Sequence, residues 1–153
     1  MKLSEILTPD SIQLDSDATS KKRVLESVSQ LLAGCNESLS PRAVFDCLLA
    51  REKLGSTSLG HGVAIPHARL AGLDKAIGVF LKVSKGVDFD SPDNEPVDLV
   101  FALLVPENST EEHLQVLASI ASYFNSEASR DALRLEDSPQ KARELLCRAD
   151  QQD

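Results

Sequence analysis

At 153 residues the chain is long enough to bury a full core as one domain, and 42% apolar with 26% charged residues is an ordinary globular composition. A net charge of −8 and a pI near 4.9, with no basic cluster beyond Lys21-Lys22-Arg23, argue against nucleic acid as a main partner. The longest apolar run, residues 99–105, is far too short for a membrane span, and MKLSEILTPD has no apolar stretch leading to a small-residue cleavage site, so a cytoplasmic protein without membrane insertion is expected.

Cys35, Cys47 and Cys147 are widely spaced and odd in number, which speaks against a disulfide framework or a zinc knuckle. In chain order, residues 1–19 read as a short N-terminal turn or helix followed by an extended piece near residues 12–14. Ser20 caps a helix over 21–32 with the apolar stripe Val24, Val28, Leu31 and Leu32, and Gly34 ends it; Lys21-Lys22-Arg23 reads as its solvated start. Ser40 caps a second helix with Pro41 in first position. Its apolar face takes Val44, Cys47, Leu48 and Leu54, so Cys47 is expected to be a buried, inert thiol, and Gly55 stops the helix.

The stretch AIGVFLKV, residues 76–83, predicts a strand, and the polar loop DSPDNEP follows it. VDLVFALLV, residues 97–105, predicts a central strand buried on both faces. Pro106 breaks it, and Ser109 with Glu112 matches a capping box. The helix that follows carries His113 in its first turn and buries Leu114, Leu117, Ile120, Ala121 and Phe124. A short helix over 127–135 and a last one, capped by Ser138 and carrying Leu145 and Leu146, complete the chain. Helices alternate with strands, so an α/β fold with one central sheet covered by helices on both faces is expected.

The chemistry concentrates in residues 51–70, REKLGSTSLGHGVAIPHARL. His67 follows Pro66 at the end of an extended segment, 62–66. A neutral imidazole there is a competent nucleophile near neutral pH. The loop before it offers glycines, hydroxyls and backbone N–H groups that can cradle an anion; Ser56, Thr57, Gly60 and Gly62 are its candidate phosphate contacts. Arg51 supplies a fixed charge and a fork suited to phosphate. His113, at a helix start, supplies a second imidazole where the helix dipole favours an anion. The conjunction points to phosphoryl transfer through a phosphohistidine. His61, between two glycines, reads as a loop residue.

The segments REKLGST, GHGVAIPHARL, PVDLVFALLVPEN and HLQVLASIA resemble the enzyme IIA proteins of the bacterial phosphotransferase system, in particular the nitrogen-regulatory branch of the fructose/mannitol-type family. The resemblance spans about residues 6–146, and the AIPH segment is its most specific part. It implies a single IIA domain over 1–153 with a mixed sheet flanked by helices. It also implies that His67 is the phosphoryl acceptor, that Arg51 and His113 are its catalytic partners, and that no metal or organic cofactor is needed. Two positions depart from the family pattern. Ser58 stands where glycine is frequent and would be strained at a positive φ. His61 stands where asparagine is common.

The expected function is therefore a cytosolic phosphocarrier and signal-transduction regulator. It takes a phosphoryl group on His67 from an upstream histidine phosphocarrier and controls target proteins by its phosphorylation state; by the resemblance, ion transporters or sensor kinases are among such targets. A sugar-transport IIA component passing phosphate to a IIB domain is the alternative, and a length of 153 residues leaves no room for a fused IIB or membrane domain. A second alternative, a metalloenzyme with His61, His67 and His113 as ligands, fits no familiar zinc spacing.

Overall fold

The computed structural model describes residues 2–108 and 111–151. The chain runs through α1 (Leu3–Ile6), a 3₁₀ turn (Pro9–Ser11), β1 (Ile12–Ser16), α2 (Lys21–Gly34), α3 (Pro41–Lys53), β2 (Ser58–Gly60), β3 (Val63–Ala64) and β4 (His67–Leu70). It continues through β5 (Ile77–Val87), β6 (Val97–Pro106), α4 (Glu111–Phe124), α5 (Glu127–Leu135), α6 (Pro139–Leu146) and a closing 3₁₀ turn (Cys147–Gln151).

The strands form one sheet ordered β1-β5-β6-β3-β2, with β4 also paired to β6. β5 and β6 are antiparallel, whereas β1 on β5, and β3 and β4 on β6, are parallel, so the sheet is mixed. β6 is central, as its apolar run requires. Leu99, Phe101 and Leu103 pack with residues of α1, α4, α5 and α6, while Val100, Ala102 and Leu104 pack with α2 and α3. Successive strand residues point to opposite faces, so one strand feeds both cores.

Helix starts follow the hydroxyl signals. Ser20, Ser40 and Ser138 each accept the backbone N–H three residues on, and so does Ser126 at the start of α5. The capping box expected at Ser109 lies outside the described residues. α1 takes its cap from the far end of the chain: the Asp150 carboxylate accepts the N–H of Leu3 at 2.6 Å and of Ser4 at 3.1 Å. No helix among the described residues is long and apolar enough to cross a membrane.

Several sequence expectations are corrected. α2 runs through Gly34, and β5 extends to Val87. Leu54 and Leu114, expected on buried faces, are 85% and 58% exposed, and Val116 takes the buried place on α4. Cys47 is only half-buried. All three residues line one cleft, between α3 and the start of α4 at an edge of the sheet.

That edge is β4. Val63 and Ala64 pair with Leu99 and Val100; four residues on, His67 and Arg69 pair with Leu103 and Val105. β3 and β4 are thus two pieces of one path along β6, broken at Ile65-Pro66. β2 pairs with β3, while β4 pairs with β6 alone and so forms a free edge.

Candidate functional site

A cleft of about 440 Å³ opens along β4. Its walls are the last turns of α3 (Cys47, Ala50, Arg51, Leu54), β4 (His67, Ala68, Arg69), β6 (Leu103, Val105) and the first turns of α4 (His113, Leu114, Leu117). The structure therefore brings Arg51, His67 and His113 to one place, from two helices on opposite faces of the sheet and the strand between them. Arg69 joins them. The sequence reading missed it, although its position two residues after His67 on a strand puts it on the same face.

Among the described residues that line this cleft there is no aspartate or glutamate. On a chain of net charge −8, that gives the cleft a local surface of arginines and imidazoles over an apolar floor, with Glu111 and Glu112 flanking it in the first turn of α4.

His67 is half-buried, and its Nδ1 lies 2.7 Å from the carbonyl oxygen of Ile65. A carbonyl can only accept, so Nδ1 carries the proton and donates it. The lone pair of the neutral ring is then on Nε2. Ile65 and Pro66 join β3 to β4: the Ile65 N–H donates to the Thr57 carbonyl at 3.0 Å and the Pro66 carbonyl accepts from Leu103 at 2.9 Å, while the Ile65 carbonyl faces the ring. Arg51 Nη1 donates to the carbonyl of Gly55 at 2.9 Å, so the guanidinium is tied to the turn that ends its own helix. The Cys47 thiol donates to the carbonyl of Arg69 at 3.0 Å and joins α3 to the free edge; burial pushes this thiol up from its ordinary pKa.

The candidate phosphate loop does not collect at this cleft. Ser56 Oγ donates to the carbonyl of Phe89 at 2.7 Å, and the Thr57 hydroxyl donates to Glu52 at 2.7 Å. Gly60 ends β2 and Gly62 lies in the turn to β3, at φ +87° and +80°. A Cβ on Gly60 would lie 3.1 Å from the Asp93 carboxylate, and one on Gly62 would collide with the Arg134 guanidinium. These glycines serve close packing in that turn.

Ser58 begins β2 and has no positive φ, so it is unstrained. Its hydroxyl donates to the carbonyl of Val63 at 3.1 Å and accepts from Ser91 at 2.6 Å. His61 does adopt the left-handed backbone, φ +57°, held by its N–H donating to Asp93 at 2.8 Å and its carbonyl accepting from Arg134 at 2.7 Å. That conformation explains why asparagine suits the position. His61 lines a second cleft with Asp93, Glu95, Asp98, Glu127 and Asp131, away from His67 and His113. The three-histidine metal site is therefore not assembled, and among the described residues no group of three or more His, Cys, Asp or Glu is placed to hold a metal ion.

Comparison with known proteins identifies the family. A nitrogen regulatory protein of Pseudomonas aeruginosa is 46% identical over 134 residues, covering 88% of this chain and 87% of its own. The crystal structure of the nitrogen regulatory protein IIA-Ntr from Neisseria meningitidis superposes with a TM-score of 0.89 at 48% identity, covering 94% and 98% of the two chains. The mannitol IIA enzyme of Escherichia coli, solved in complex with phosphorylated IIB, superposes at 0.75 with 26% identity over 92% and 96%. Residues 5–148 match the family described as the phosphoenolpyruvate-dependent sugar phosphotransferase system, EIIA 2, and the chain belongs to that family.

Proposed function

We propose that the chain works as a single-domain cytoplasmic phosphocarrier of the nitrogen-regulatory type, with His67 as its phosphoryl acceptor. The observation that carries the reading is the hydrogen bond from His67 Nδ1 to the Ile65 carbonyl, which leaves Nε2 as the nucleophile in a cleft lined by Arg51, Arg69 and His113. The donor is an upstream histidine phosphocarrier. Its nitrogen–phosphorus bond breaks as the Nε2 lone pair of His67 forms the new one, and the carrier's imidazole leaves with the electron pair. Positive charge then develops on the His67 ring. The Nδ1–H bond to Ile65 strengthens as it does, because a charged donor binds a carbonyl more tightly than a neutral one. Arg51, His113 and Arg69 line the same cleft and stabilise the oxygens of the transferring group, which is where catalysis of phosphoryl transfer resides.

Phosphorylation adds nearly two negative charges. It places them among arginines and leaves the backbone where it is. The surface presented to target proteins changes sign locally, and the phosphorylation state selects which targets bind. Incubation with phosphoenolpyruvate, the first enzyme of the system and its histidine carrier, followed by intact mass, tests the reading. One phosphoryl group on the wild type and none on His67→Ala supports it; acceptance by His67→Ala refutes it.

The fold shared with the mannitol IIA enzyme solved with its phosphorylated IIB supports a second reading, in which the phosphoryl group passes on to a IIB domain. Transfer from the phosphorylated chain to an isolated IIB domain distinguishes the two.

A further inference from the structure

Helix α3 carries Arg51 into the cleft and its neighbour Glu52 the other way. Glu52 is a carboxylate with 2% side-chain exposure, held between Lys21 of α2 and the turn that follows α3. Its Oε1 accepts the backbone N–H of Thr57 at 3.0 Å and lies 3.0 Å from Lys21 Nζ. Its Oε2 accepts the Thr57 hydroxyl at 2.7 Å. Its backbone carbonyl accepts the N–H of Gly55 at 3.2 Å. Lys21 is itself fixed, 3.3 Å from Asp90 and 5.0 Å from the centre of the Phe89 ring, and is not the solvated helix start that the sequence implied. On the other side of the same turn, the Gly55 carbonyl accepts from the Arg51 guanidinium at 2.9 Å.

We propose that Glu52, with Lys21 as its counter-ion and Thr57 as its grip on the turn, is a positioning residue for phosphoryl transfer: it fixes residues 54–57 and thereby the guanidinium of Arg51. The inference rests on the reading of His67 as acceptor. A buried ion pair adds little net stability over an apolar side chain of the same shape. A buried carboxylate satisfied from three sides does restrict a turn, and small displacements of a charge-stabilising group cost rate steeply. Glu52 does not line the cleft and touches no transferring atom.

The test is a double-mutant cycle on the single-turnover rate of phosphoryl acceptance from saturating phosphorylated carrier. Glu52→Gln and Thr57→Val are each expected to slow transfer about tenfold in the wild-type background and less than about twofold when Arg51 is already alanine. Thr57→Ser, which keeps the hydroxyl, restores the rate. Thr57→Val keeps the test decisive should Glu52→Gln fail to fold. Equal slowing with and without Arg51, or no slowing by either variant, overturns the proposal. His67→Ala in the same series separates the two claims: acceptance by that variant sinks the acceptor assignment, whereas a dead His67→Ala with an additive cycle sinks this inference alone.

Discussion

Gly62→Ala separates two roles that the glycine turn could have. In the structure Gly62 has φ +80°, and an added Cβ would collide with the Arg134 guanidinium and lie 2.8 Å from Asp98 Oδ1. Left-handed backbone costs alanine about 1–2 kcal/mol. Arg134 donates twice to Asp98, both at 2.9 Å, and once to the His61 carbonyl at 2.7 Å; displacing it from this partly exposed pair costs about 1–2 kcal/mol in all. The stiffer unfolded chain of alanine returns about 0.5–1 kcal/mol. The net loss is about 2 kcal/mol, or a fall in Tm of about 4–8 °C for a chain of this size. Urea unfolding gives the stability, and single-turnover acceptance, measured well below the unfolding midpoint, gives the rate. A destabilised protein with a normal rate is expected. A protein as stable as wild type that accepts phosphate more than tenfold slower would return Gly62 to the phosphate site and refute the separation of the two clefts.

Arg51→Ala and His113→Ala are each expected to slow acceptance about 10²–10³-fold without abolishing it, as for a lost charge-stabilising donor, with Arg69→Ala smaller at about tenfold; unchanged rates in stopped-flow or quench assays would mean that backbone alone holds the phosphoryl oxygens. Leu54→Ser and Leu114→Ser remove exposed apolar surface at the mouth of the cleft, so each should weaken carrier binding about 3–10-fold in calorimetry while the rate at saturating carrier stays constant; a carrier affinity that ignores both changes places docking elsewhere. His61→Asn relieves a left-handed histidine by about 0.5–1 kcal/mol and should raise Tm by about 1–3 °C without altering transfer; a slower transfer would place the His61 ring at the phosphoryl group.

Much of this architecture is legible in the sequence where one local signal suffices. The run at 97–105 reads as a central strand because both faces of β6 are buried, and Ser20, Ser40 and Ser138 announce helix starts because a hydroxyl serves a backbone N–H three residues on. The convergence of Arg51, His67 and His113 is readable from their chemistry together with the AIPH resemblance. What the sequence hides is set by distant partners. The hydroxyls and glycines of residues 55–62 look like an anion cradle, but several of their partners and close neighbours are Phe89, Ser91, Asp93, Asp98 and Arg134, which no spacing rule connects to them. Leu54 and Leu114 obey a helical apolar period, and that period cannot tell the wall of a cleft from a core. Lys21 looks like a solvated charge until the fold sets it beside a buried Glu52. Asp150 caps α1 from the opposite terminus, a contact that exists only once the chain has folded.

The acceptor atom is the centre of the account, and long-range proton–nitrogen correlation spectra of the ring nitrogens, recorded before and after phosphorylation, report on it directly. In the free protein the His67 Nδ1 should carry a proton, and after transfer the phosphorus coupling should appear at His67 Nε2 alone. Coupling at His67 Nδ1, or at a ring nitrogen of His61 or His113, would contradict it.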